Sequence, residues 1–334
     1  MHESARAPAL AVARRARRRA VVLGVVLLAL VPLFAGCLAP SAVDAPVLRI
    51  GAGPDAESLL LAETAVVLLA ARGIGSEVVA FADARDSRRA LELADVELRI
   101  GYTGESWLEV LGRPDPPGDA WRSITAVREH DLARGIVWLA PSGSGPGAPG
   151  LPPANATFAF VVAGPPSIDA DLRTVSQLAA RLAERPDARV CVDREFSERP
   201  DGLRAVLAAY SVRSDRPFVA ADPTEAVLGV VEGACLAGLT TATDGLAWRA
   251  GLVPLVDDLA VFPAFVPLPQ VRTDALALEP VLRAALAPLV GGLSTTELAR
   301  ANGRVALGEE PAIVAAELAS RLRATVGTEG AVEP

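Results

Sequence analysis

A chain of 334 residues, 51% of them hydrophobic, has room for one large domain or two lobes of ordinary size, with apolar side chains enough for a substantial core. Its formal charge is −8, and beyond residue 36 the balance is 26 arginines against 39 acids, a net of −13. So acidic a chain is a poor partner for nucleic acid, whose binding requires phosphates to be neutralised. All 32 basic residues are arginine, which excludes a Schiff-base lysine and a phosphate-loop lysine.

The first 36 residues read as a signal peptide. Arg14, Arg15, Arg17, Arg18 and Arg19 make a positive start, Val21–Leu30 an apolar middle, and Phe34-Ala35-Gly36-Cys37 a small-residue end. A cysteine directly behind small residues resembles the lipobox of bacterial lipoproteins, in which the thiol is acylated and becomes the mature N-terminus; Phe34 stands where Leu is usual. The alternative is one uncleaved anchor, but the run Val21–Gly36 falls short of the ~20 residues a bilayer span requires. Either route places the rest of the chain outside the cytoplasm at the membrane surface, with 37–46 as a tether.

Strands and helices then alternate. Val47–Ile50 is a strand ending at Gly51, and a helix runs from Ala56 to Arg72 until Gly73 stops it. Strands at Glu77–Phe81 and Val96–Ile100 flank a helix at Ser87–Leu93, and another helix starts at Thr103. This order predicts an α/β fold with a parallel sheet. The Pro/Gly-rich stretch from Pro141 to Pro153 is a connection. A second α/β unit follows: strands at Thr157–Ala163, Arg189–Asp193 and Ala234–Thr240, with helices at Leu172–Glu184 and Gly202–Tyr210. Val281–Val290 and Ala312–Thr325 are closing helices.

Signals for catalysis are sparse. His2 lies in the leader, and His130, within Arg-Glu-His-Asp, reads as a solvated helix end, so neither a histidine metal cluster nor a Ser-His-Asp triad is indicated. Asp257-Asp258 reads as an exposed pair, and Gly51-Ala52-Gly53 lacks the third glycine of a dinucleotide loop. Cys191 and Cys235 can bond in an oxidising compartment or remain two buried thiols, and a bond directly between neighbouring strands has poor geometry. Aromatic residues make up only 4% of the chain, yet Tyr102, Phe158 and Phe265 each close a strand-like run, where α/β folds bind ligands. Core packing is the alternative for the two phenylalanines.

Six motifs in one order resemble a known family. They are Leu48-Arg49-Ile50-Gly51 with Glu57, Gly101-Tyr102-Thr103-Gly104, Asn155-Ala156-Thr157-Phe158-Ala159, Glu195–Leu203, Thr243-Asp244-Gly245 with Phe262–Phe265, and Leu293–Glu297. The family is that of substrate-binding proteins for glycine betaine, choline and related osmoprotectants in ABC importers. The resemblance implies a type II periplasmic-binding-protein fold of two α/β lobes, 47–154 with 267–330 and 155–266, closing on a small ligand in the cleft between them. It implies a permease and an ATPase as partners, no cofactor, no metal and no catalysis.

Family members hold a trimethylammonium group in a cage of tyrosines. Here Tyr102 matches, Phe158 and Phe265 keep the ring faces without hydroxyls, and Thr241 replaces a further tyrosine. Arg199 matches the family's partner for the ligand carboxylate. Gly53 replaces a lysine and Glu105 a threonine, so the resemblance points to cationic ligands without a carboxylate. A receptor for a different solute, a surface enzyme on the same scaffold and a sensor without a transporter are the competing readings.

Overall fold

The computed structural model describes residues 47–141, 153–167, 171–198, 202–212 and 218–329. Cys37, Arg199 and most of the 141–153 connection lie outside the described residues.

The chain opens with β1 (Leu48–Ala52), α1 (Ala56–Ala70), β2 (Ser76–Ala80), α2 (Ala84–Glu92), β3 (Leu98–Tyr102), α3 (Thr103–Glu109), α4 (Ala120–Leu132) and β4 (Ile136–Trp138). It continues with β5 (Phe158–Val162), α5 (Val175–Glu184), β6 (Val190–Asp193), α6 (Arg194–Glu198), α7 (Leu203–Ala209), β7 (Phe218–Ala221), α8 (Pro223–Val231), β8 (Ala237–Thr241), α9 (Gly245–Arg249) and β9 (Val253–Pro254). The last run is β10 (Pro267–Arg272), α10 (Thr273–Leu278), α11 (Leu282–Gly292), α12 (Thr295–Val305) and α13 (Pro311–Glu329).

These elements build two five-stranded sheets with the same plan, β2-β1-β3-β10-β4 and β7-β6-β8-β5-β9. In each, three strands are parallel and the fourth is antiparallel to both its neighbours. The wholly parallel arrangement expected from the strand–helix alternation is therefore corrected to a mixed one. The reason is the path of the chain. Each antiparallel strand directly follows a passage from one sheet to the other, so it enters from the end where the parallel strands finish. β10 carries Pro267 and Pro269, yet it sits inside its sheet. The short β4 pairs only with Gln270, Val271 and Arg272, and the Pro269 carbonyl faces Leu139 beyond the end of β4.

Local signals set the helix starts. Asp55 caps α1 by accepting from the Ser58 amide, and Thr174 and Gln177 form a capping box that starts α5 at Val175, later than Leu172. On one face of the first sheet, Ile50, Leu98 and Ile100 meet Leu60, Leu61 and Leu68 of α1, Leu286 of α11 and Leu318 of α13. The two-residue period of β3 turns Arg99 to the other face, where Arg88, Ser106, Ser123 and Gln270 are also buried. Arg88 there forms a bidentate pair with Asp131, at 2.6 and 2.8 Å, and the Trp138 indole donates to the same carboxylate. The second sheet has its own core of Phe160, Leu178, Val190, Val206, Leu239 and Phe262.

His130 does lie in the last turn of α4, half-buried, with Nδ1 3.4 Å from Asp131. Asp257 is no idle loop acid. It accepts from the Tyr210 hydroxyl and the Phe262 amide, while the Tyr210 oxygen accepts from the Leu259 amide, and so the loop after β9 is pinned.

Cys191 and Cys235 are bonded, with Cα atoms 5.8 Å apart. Cys235 precedes β8 instead of lying in it, so the bridge joins β6 to the turn behind α8, and the poor geometry of a cross-strand pair does not arise. The bond closes a loop of 44 residues. Chain entropy alone assigns such a loop about 4 kcal/mol. Reduction, or Cys191→Ala with Cys235→Ala, is expected to lower the urea midpoint accordingly; an unchanged midpoint counts against a stabilising bridge.

Candidate functional site

The carboxyl ends of β3 and β8 meet the two passages between the sheets, residues 153–157 and 262–266. The passages are hydrogen-bonded to each other. The Phe265 amide donates to the Asn155 side chain (2.7 Å), the Ala156 amide to the Phe265 carbonyl (2.9 Å), and the Thr157 hydroxyl to the Pro263 carbonyl (2.6 Å). Thr103, fully buried at the start of α3, ties them to β3. Its hydroxyl donates to the Ala264 carbonyl and accepts from the Val266 amide, and its own amide donates to the Val266 carbonyl.

Around this junction stand most of the side chains singled out in the sequence. Tyr102 ends β3 and faces Pro267 of β10 in register. Phe265 lays its ring on Gly104; a β-carbon there would come within 2.8 Å of three ring atoms, so only glycine lets the ring settle on α3. Phe158 and Thr241 are opposite one another on β5 and β8, both half-buried. The Phe158 ring leans on Phe196 (centroids 4.9 Å apart) and Phe262 (6.3 Å), at the rim of the second core. It is thus partly a packing residue.

Glu105 is held by a buried arginine. Its carboxylate accepts from Arg99 Nη2 at 3.2 and 3.3 Å. Arg99 is buried, and its Nε and Nη1 have no protein partner, so Glu105 is the acid that answers this charge.

Glu57, in the first turn of α1, belongs to the first of the family motifs but is not among the ligand residues that the resemblance implies. The Tyr102 hydroxyl donates to its Oε1 at 2.6 Å, and Asn302 of α12 donates to its Oε2 at 2.6 Å. The same Asn302 amide donates to the Thr243 carbonyl at 2.9 Å, behind β8. Burial pushes the Glu57 carboxyl above its ordinary value, outweighing the hydrogen bonds from Tyr102, Thr243 and Asn302 that hold it down. Burial, then the charges of Glu57 and Asp55, push the Tyr102 hydroxyl well above its ordinary value, so it remains a donor. Beside this network α9 and α12 touch through glycine. A β-carbon on Gly245 would collide with the Asn302 and Gly303 backbone, and one on Gly303 would meet the Trp248 ring at 2.9 Å.

No group of three metal-binding side chains occurs among the described residues, and no described helix is long and apolar enough to cross a membrane. What the junction offers is ring faces, one half-buried carboxylate and neutral hydrogen-bonding groups.

Residues 46–320 match the family model described as the substrate-binding domain of an ABC-type glycine betaine transport system. A glycine-betaine-binding protein of Pseudomonas aeruginosa is 28% identical over 295 residues, covering 85% of this chain and 90% of its own. Two solved structures share the fold. Apo YehZ from Escherichia coli has a TM-score of 0.72 at 24% identity, covering 82% of this chain and 97% of its own. A glycine betaine/carnitine/choline ABC transporter structure has a TM-score of 0.72 at 22% identity, covering 82% and 98%.

Removing one partner of a buried ion pair leaves the other uncompensated, at a cost of about 3–5 kcal/mol. Glu105→Thr is therefore expected to destabilise the protein by about 3 kcal/mol in urea unfolding, and Arg99→Met to recover much of the loss in the double variant. A Glu105→Thr protein as stable as wild type contradicts the pairing.

Proposed function

The chain belongs to the family of substrate-binding domains of ABC-type glycine betaine transport systems; from that premise we propose that it captures a quaternary ammonium or related cationic solute between its lobes. As a member of a binding-protein family it is not an enzyme. The observation that supports the reading is that Tyr102, Phe265 and Phe158 all stand in or beside the two hydrogen-bonded passages between the sheets. Each ring offers a face to a cation, worth about 0.5–2 kcal/mol. Thr241, the cross-strand neighbour of Phe158, leaves the surface beside that ring short, which favours a ligand with some bulk beside its charged head. Arg199 is the proposed partner for any ligand carboxylate.

Calorimetry with choline and glycine betaine tests this. Binding of at least one by the wild type is expected, with Tyr102→Ala weakening it tenfold or more and Thr241→Tyr strengthening it. A thermal-shift screen reads the same event, because ligand at about 100 times Kd stabilises by about 2.7 kcal/mol. A protein that ignores both compounds, or a Tyr102→Ala variant that binds like wild type, overturns the reading.

The proposed setting is extracytoplasmic, with the acylated Cys37 holding the protein to the membrane and a permease with its ATPase receiving the solute. The arginine-rich start, the apolar run and the small residues before Cys37 support this anchor. Cys37→Ala is expected to move the protein from the membrane fraction to the soluble one. If the variant stays uncleaved in the membrane, an intact hydrophobic anchor replaces the lipid.

A further inference from the structure

Glu57 accepts from neutral donors, Tyr102 and Asn302, and no described guanidinium contacts it. Glu105 by contrast is answered by Arg99. Of these two acids, Glu57 is therefore the one whose charge no described arginine answers. We propose that Glu57 is a specificity-determining residue of the ligand site, its carboxylate supplying the counter-charge for a cationic head and selecting choline-type cations over zwitterions. This rests on the quaternary ammonium reading above.

Two physical effects act through the 2.6 Å hydrogen bond from Tyr102. A phenol donating to a carboxylate gains electron density in its ring, and the face of that ring attracts a cation more strongly. The carboxylate itself, screened little because it is half-buried, attracts any positive charge lodged against Tyr102 and repels a ligand carboxylate. Glycine betaine brings both charges and choline only one, so Glu57 favours choline.

The other charged groups around Glu57 either add to its negative field, as Asp55 does, or are paired elsewhere. Asp55 caps the helix that bears Glu57, and Asp244, beyond β8, accepts from Thr240 and the Ala247 amide. On α12, Arg304 is bound to Glu309 and Glu317, and Glu297 to Arg321. On α3, Glu105 is paired with Arg99. Burial raises the Glu57 carboxyl, so acid neutralises it before ordinary carboxylates. The sign follows directly: choline affinity is full when Glu57 is ionised and falls as pH drops through its raised value.

The test is calorimetry of the full-length protein with choline and with glycine betaine at pH 7 and pH 4.5, for wild type, Glu57→Gln and Tyr102→Phe. Glu57→Gln keeps the shape and the Asn302 bond but not the charge. It is expected to bind choline at least tenfold more weakly at pH 7, to lose less for glycine betaine, and to show little change with pH. Wild type is expected to weaken on acidification, and Tyr102→Phe to fall between the two. Circular dichroism confirms that each variant is folded, and if Glu57→Gln is not, the wild-type pH profile decides, a flat profile overturning the proposal. Choline affinity of Glu57→Gln within twofold of wild type also overturns it while leaving the proposed function standing. A wild type that binds neither compound overturns both.

Discussion

The two passages of backbone between the sheets hydrogen-bond to each other and to Thr103, and every aromatic residue of the site is placed from that knot. Phe265 lies within one passage, Phe158 directly follows the other, and Tyr102 immediately precedes Thr103. Backbone bonds thus set where the rings stand, and packing on Gly104, Phe196 and Phe262 completes their placement. Asn155 shows how economical this is. Its side chain takes the Phe265 amide while its own amide reaches Thr295 at the start of α12, so one residue connects a passage to its partner and to the first lobe.

Charge inside the first lobe follows a different logic from charge at the junction. Arg88 and Arg99 are buried, and each is answered by an acid: Asp131 with two short bonds, Glu105 with longer ones. Planar guanidinium groups suit such pairs because they donate in a fixed fork. At Glu57 the order is reversed: its described donors, Tyr102 and Asn302, are neutral.

Much of the fold was legible in the sequence because it is written locally. The strand ending at Gly51, the helix behind Asp55 and the tail helix all carry their periodicity and caps with them. β10 was hidden by Pro267 and Pro269, which read as loop until it is seen how short the neighbouring β4 is. The start of α8 is written locally as Asp222-Pro223-Thr224-Glu225, a capping box with proline at its first turn. Strand direction was not legible at all, since it depends on which end of the sheet a passage reaches. Of the candidate site, Tyr102, Phe158, Thr241 and Phe265 are proposed from their motifs, and the structure sets them beside the passages. The pairing of Glu57 with Asn302 spans 245 residues and leaves no local trace, and Glu105 found its partner only because β3 turns Arg99 beneath it.

The position of β10 also orders events in time. The second sheet draws all its strands from one continuous run, 158–254, whereas the first lacks its fourth strand until residue 267. β10 lies between β3 and β4, so neither pairs with the other directly, and the sheet is split until it arrives. Closing so long a stretch of chain is slow compared with joining near neighbours. The lobe that begins first is therefore finished last. It waits on a segment emerging after its partner is complete, and the ring-lined junction exists only once that late strand has been laid in.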